Sequence, residues 1–172
     1  MHNVLTYRGT RPVYQPNTFI APNAYVIGDV VLGEQSSVWF GCTVRGDVNF
    51  IRIGARTNIQ DGVVIHTASK NNGDIPTIVG DDCTIGHQAL LHACTIGNRV
   101  LIGMQACVMD GAVVEDDAIL AAGALLTPGK KIPSGELWAG RPARFVRKLT
   151  ADEMQHLQWS AQHYVKLASE YL

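Results

Sequence analysis

Residues 94–126 read CTIGNRVLIGMQACVMDGAVVEDDAILAAGALL, and an aliphatic side chain returns every six positions, at Ile96, Ile102, Val108, Val114 and Leu120. Four places after each stands a small or β-branched residue: Val100, Ala106, Ala112, Ala118 and Ala124. Towards the N-terminus the same beat holds at Val79, Ile85 and Leu91, at Ile53, Ile59 and Ile65, and at Ile20, Val26, Leu32, Val38 and Val44. Leaving Ile65 aside, these units also obey the second rule, with Ala24, Val30, Ser36, Cys42, Val48, Thr57, Val63, Cys83, Ala89 and Thr95 at the fourth place. A period of six excludes a long amphipathic helix, whose apolar stripe returns every ~3.6 residues. It fits a solenoid of short strands that turn at regular corners around a cramped interior. Glycine follows the apolar residue at Gly33, Gly54, Gly80, Gly86, Gly97 and Gly103, where a corner conformation is the expected reason. Beyond Leu126 the small-residue rule fails at Lys130 and Glu136, so the coil is expected to end near there.

The composition agrees. The 172 residues suffice for one domain with a proper core, and 17 glycines with only 7% aromatic residues suit tight turns and small interior side chains. A net charge of -1, with basic residues scattered, argues against nucleic acid or an anionic membrane as partner. No apolar run approaches the ~20 residues of a bilayer span, and MHNVLTYRGTRP lacks the apolar core of a signal peptide. Cys42, Cys83, Cys94 and Cys107 form no CxxC pair, so a reducing compartment, the cytoplasm, is expected.

The C-terminus changes character. TADEMQHLQWSAQHYVKLASEYL opens with Thr150 and places Glu153 three residues on, a capping-box pattern. Leu157, Ala161, Tyr164, Val165, Ala168 and Leu172 follow at helical spacing. The expected organisation is therefore an all-β solenoid over residues 1–149, ending in a loop-like connector, PSGELWAGRPARFVRKL, and a C-terminal α-helix over 150–172 packed on it.

The six-residue period resembles that of the hexapeptide-repeat, left-handed parallel β-helix family, which implies that three units make one triangular coil of 18 residues; on that coil length the breaks in the period place the histidines. Val44 to Ile53 spans one unit plus three residues; Ile65 to Val79 spans one unit plus eight, taken up by the polar loop SKNNGDIP. His66 and His92 are 26 apart, or 18 without the loop; Arg45 and His66 are 21 apart, or 18 without the three. Arg45, His66 and His92 are expected to stack along one edge. By the same count His87 stacks above Asp61, beside Gln60, along another edge. A strand separates the two edges, so one chain cannot bring both to one ion, since Zn–N bonds are ~2.0–2.1 Å. Neighbouring subunits can, if the edge of one meets the other edge of the next in a closed ring, and a triangular prism favours a trimer.

Three segments carry a specific resemblance: VRGDVNFIRIGARTNIQDGVVIHT, VGDDCTIGHQALLHACTIGNRVLIGMQACVMDGAVVEDDAI and LWAGRPARFVRKLT. With the hexapeptide period they make the chain similar to the gamma-class carbonic anhydrases and their carbonic anhydrase-like relatives over nearly its whole length. The resemblance implies a left-handed parallel β-helix and a homotrimer with Zn²⁺, or Fe²⁺ or Co²⁺, held between subunits by residues matching His66, His87 and His92. It implies reversible hydration of CO₂ to bicarbonate, in which the ion lowers the pKa of water towards about 7. Gln60 matches the residue that orients the attacking oxygen, Asn58 its support, and Arg45 a residue of structure and bicarbonate handling. Tyr164 matches a tyrosine near the metal in shorter-looped relatives. Asp47 and Asp61 are expected to hold Arg45 or the histidines. The sequence departs from the archetype where a glutamate follows the position of Asp47; here it is Val48. The loop offers only Asp74 where the archetype carries a proton-shuttling glutamate.

Other classes follow from the same repeat. One is an acyltransferase of the hexapeptide class with a histidine base; another is hydrolysis of a thioester or other small molecule. A third is an assembly protein that keeps metal for stability. The Arg45, Gln60, His66, His87 and His92 set favours the carbonic anhydrase reading over acyl transfer.

Overall fold

A computed structural model describes residues 3–172; Met1 and His2 lie outside the described residues. The chain winds into a left-handed parallel β-helix closed by one C-terminal helix. Most strands are two residues long, because each face of the triangle accepts little more before the next corner. One face stacks Phe19–Ile20, Ser37–Val38, Asn58–Ile59, Thr84–Ile85, Leu101–Ile102, Ile119–Leu120 and Glu136–Ala139 in a single sheet. The other two faces merge into a second sheet, since Tyr25–Leu32 and Thr43–Ile53 run unbroken round the corner between them.

The second residue of each short strand points inward. Val26, Val44, Ile65, Leu91 and Val108 form one fully buried column, and Ile59, Ile85, Ile102 and Leu120 another. Register follows the coil arithmetic: Val44 pairs with Ile65, Ile65 with Leu91, and Val108 with Leu126. Both insertions fall where the period breaks. Gly28 pairs with Gly46 but Val30 with Ile51, so residues 47–49 bulge from the corner. A Cβ on Gly28 would stand 2.3 Å from the Gly46 carbonyl oxygen, so that corner demands glycine. The eight-residue loop lies between His66 and Thr77 and is tied to the bulge by Asn49, whose amide donates to Asp74 at 3.0 Å and to the Ala68 carbonyl at 3.2 Å.

Several expectations are corrected. Val48 and Thr95 do not fill the interior: both are exposed, Val48 because it sits in the bulge, and Thr95 because the five-residue step puts Cys94 inside instead. Gly33, Gly54, Gly80 and Gly97 do not serve unusual corner angles. They stack on one another, and a Cβ on Gly33 would lie 2.5 Å from Gly54 backbone. The left-handed backbone of that edge falls two residues later, on Gln35, Arg56, Asp82, Arg99 and Asp117. There Arg56 grips Asp82 with bonds of 2.7 and 2.8 Å, and Arg99 grips Asp117 with 2.6 and 2.9 Å.

The coil also continues past Leu126. Lys131–Ile132 pairs with Val113–Val114, and Ile132 is fully buried. Lys130 escapes the rule because Lys131–Ile132 is the last strand of its sheet, and Glu136 because it lies on the closing hairpin, where Lys148 and the Trp138 indole hold its carboxylate. The connector is not a loop: Glu136–Ala139 and Arg144–Lys148 form an antiparallel hairpin on the sheet, with Trp138 packed against the core.

The helix is Ala151–Ser169, and its capping box is present as the sequence indicates, with Thr150 accepting from the Glu153 N–H. It packs on Ser37–Val38, Asn58–Ile59 and Thr84–Ile85 and buries Leu157, Ala161 and Ala168. Leu172 lies beyond the helix and is exposed. His156 and His163 are exposed and stack on either side of Trp159. Among the described residues no helix is long and apolar enough to cross a membrane. Burial pushes the thiols of Cys42 and Cys83 up, to about 11 and about 12, and that of Cys94 up as well, as suits packing residues.

Candidate metal centre on two edges of the solenoid

His66 and His92 are register partners on adjacent coils, and their rings lie side by side on one edge. Their facing nitrogens, His66 Nδ1 and His92 Nε2, are 3.3 Å apart. The other nitrogen of each ring is committed to a carboxylate. His66 Nε2 meets Asp47 Oδ1 at 2.9 Å, and His92 Nδ1 meets Asp110 Oδ1 at 2.6 Å. A carboxylate accepts the hydrogen bond of the ring N–H, so in the neutral imidazoles both facing nitrogens carry lone pairs. Two lone pairs at that distance repel unless a positive species stands between them.

Asp47 owes its place to the bulge, which lets one carboxylate serve two partners. Its second oxygen accepts from Arg45 Nη1 at 2.5 Å. Burial works against the charge, but the hydrogen bonds from His66 and Arg45 outweigh it and hold the Asp47 carboxyl below its ordinary value.

The second edge carries His87, Asp61, Gln60 and Asn58. His87 Nδ1 meets Asp61 Oδ2 at 2.8 Å, which leaves Nε2 as the ring's second nitrogen. Gln60 is buried; its oxygen accepts from the backbone N–H of His87 at 3.2 Å and its amide donates to Asn58 Oδ1 at 3.1 Å. Asn58 in turn donates to Thr84 Oγ1 at 3.0 Å, and Thr84 meets Ser160 Oγ of the helix at 3.0 Å. Tyr164 is half-buried, edge-on to Trp39 at 5.5 Å between ring centres. Burial raises its phenol, and the Asp61 charge raises it further.

The structure thus gathers Arg45, Asp47, His66 and His92 on one edge, and Asn58, Gln60, Asp61, His87 and Tyr164 around the other. Among the described residues, no three or more His, Cys, Asp and Glu side chains of one chain gather to hold a metal ion. The two edges border the same face, the one whose outward residues include Tyr25, Val64 and Leu90, each more than a third exposed. Sequence reasoning missed Asp110 and the Thr84–Ser160 link. The five-residue step between Leu91 and Ile96 makes this coil one residue short, so the count from His92 lands on Met109 and Asp110 is only its neighbour; the link to Ser160 depends on how the helix docks.

Comparison with known proteins follows the geometry. The model described as bacterial transferase hexapeptide (six repeats) matches residues 93–128. Gamma carbonic anhydrase 2, mitochondrial, of Arabidopsis thaliana is 48% identical over 159 residues, which cover 91% of this chain and 57% of that protein. The chain thus spans little more than half the length of that relative. Protein YrdA of Escherichia coli (strain K12) is 44% identical over 169 residues, covering 96% of this chain and 92% of that protein. A solved hexapeptide transferase family protein from Anaplasma phagocytophilum superposes with a TM-score of 0.94 at 48% identity, covering 100% of both chains. From the repeat, the paired edges and these relatives together, the chain belongs to the gamma-class carbonic anhydrase and carbonic anhydrase-like family of hexapeptide-repeat proteins.

Proposed function

We propose that the protein catalyses the reversible hydration of CO₂ to bicarbonate at metal centres shared between subunits of a homotrimer. The observation that carries the reading is the 3.3 Å approach of His66 Nδ1 and His92 Nε2, each ring held by a carboxylate at its far nitrogen. Two nitrogens on one tetrahedral ion with ~2.0–2.1 Å bonds lie ~3.3–3.4 Å apart, so the pair is spaced as an ion requires. His66, His92 and the His87 of a neighbouring copy would hold it, and three neutral imidazoles suit Zn²⁺, with Fe²⁺ or Co²⁺ as alternatives. Such an ion supplies Lewis acidity that makes water a nucleophile near neutral pH.

The chain's own residues do the rest. Asp47 and Asp61 fix the ring orientations of His66 and His87 by accepting a hydrogen bond at the nitrogen away from the ion. Gln60, with its oxygen occupied by the backbone N–H of His87 and its amide tethered to Asn58, has one amide N–H left to orient the attacking oxygen. Arg45 provides a cation beside the site that attracts the bicarbonate anion. Val64 and Leu90 provide an apolar face through which three copies meet, and its position between the two edges supports the trimer.

The test is CO₂ hydration by stopped flow, on protein purified anaerobically with its metal content measured. The reading predicts about one metal per chain, and activity lost in His92→Ala. Metal without hydration would support a non-catalytic or thioester-directed relative. Metal-free protein that transfers acyl groups would favour the transferase reading that the Anaplasma protein's name suggests.

A further inference from the structure

We propose that Asp110 is a positioning residue of this centre, one that fixes the tautomer and orientation of His92. The inference rests on the metal reading above. Asp110 Oδ1 stands 2.6 Å from His92 Nδ1, the shortest of the three histidine–carboxylate contacts. Asp47 is divided between His66 and Arg45, whereas Asp110, among the described residues, pairs with His92 alone. Its backbone is clamped from both sides. The Gly129 N–H donates to the Asp110 carbonyl at 2.9 Å, and the next residue, Gly111, donates to Ala93 O at 2.7 Å. Gly111 takes a φ of +68°, which turns the chain so that Asp110 sits over His92. The solenoid therefore carries the carboxylate on a fixed corner one coil above the imidazole it serves.

Without Asp110 the His92 ring is free to carry its proton on Nε2, the nitrogen that faces His66. An N–H there would point at the place of the ion. With Asp110 the proton stays on Nδ1, and Nε2 keeps its lone pair. Each of His66, His87 and His92 then has its own carboxylate, from Asp47, Asp61 and Asp110 respectively.

The experiment uses zinc alone as probe. Zinc affinity is measured by competition with a chromophoric chelator for the wild-type chain, Asp110→Ala and Asp110→Asn. The Co²⁺-substituted proteins give an electronic spectrum that reports ligand geometry. The proposal predicts that Asp110→Ala loses zinc affinity by ~10–100-fold, the usual cost of losing an outer partner, with an altered Co²⁺ spectrum. Asp110→Asn keeps an acceptor oxygen without the charge, so it falls between. Thermal midpoint and assembly size of the metal-free proteins should be unchanged. Asp110→Ala binding zinc within twofold of wild type would overturn the proposal. So would a loss of affinity matched by collapse of the metal-free fold in both variants, which would assign Asp110 to the scaffold. If the Ala variant does not fold, the intermediate affinity of Asp110→Asn decides. A wild-type chain that binds no zinc overturns the metal reading itself, and that first measurement separates the two failures.

Discussion

His66 and His92 occupy equivalent places on successive coils, yet they present different nitrogens to the space between them. The difference comes from their partners: Asp47 approaches His66 at Nε2 and Asp110 approaches His92 at Nδ1. The positions of the histidines are legible in the sequence because a fixed coil length turns spacing into stacking. The choice of nitrogen is not, because it depends on a three-residue bulge and on a side chain one coil above. His66→Ala should lower metal affinity by at least the ~10–100-fold that losing an outer partner costs, as isothermal titration with Zn²⁺ will show. Gly33 illustrates a residue whose reason the sequence hides. Its glycine is needed not for its angles but for room, since a Cβ would meet Ala55 and Gly54 backbone at 2.5 Å. Gly33→Ala should cost ~1–3 kcal/mol by overpacking, read as a fall of several degrees in Tm.

The C-terminal helix was the element most open to sequence reading, since its cap and apolar spacing are local. The hairpin before it was not. Gly140 and Pro142 read as turn residues, while the partners of Leu137 and Trp138 are Ile119 and Leu120, a full coil earlier. Hairpin and helix are joined by Arg147, which holds Glu153 through bonds of 2.7 and 2.8 Å. Arg147 first, and then the Thr150 N–H, bring the Glu153 carboxyl down to about 2. A carboxyl lowered in the fold stabilises above its unfolded value, and that contribution fades as pH falls towards 2. Helix anchoring, followed by circular dichroism, should therefore weaken between about pH 4.5 and 2, and Glu153→Gln should flatten that limb. Thr150→Ala should cost ~0.5–2 kcal/mol through the lost cap, measured by denaturant unfolding.

At the scale of the molecule, the triangular section separates three tasks. The helix covers one face, and the Arg56–Asp82 and Arg99–Asp117 pairs line one edge. The remaining two edges carry the histidines and border a face with exposed Val64 and Leu90. The sequence revealed the coil and both edges but not how far the coil runs, because Lys130 stands at the end of its sheet and Glu136 on the closing hairpin, where the small-residue rule no longer applies. Leu90→Lys should dissociate the proposed trimer and lower bound metal together, as light scattering with metal analysis will show. The most direct measurement is subunit mixing. His66→Ala and His87→Ala chains are each expected to lack zinc and CO₂ hydration alone. When they are unfolded together and reassembled, interfaces that join an intact His66 and His92 edge to an intact His87 edge should recover both. Failure of the mixture to bind zinc, while wild type treated in the same way does, would contradict a site shared between subunits.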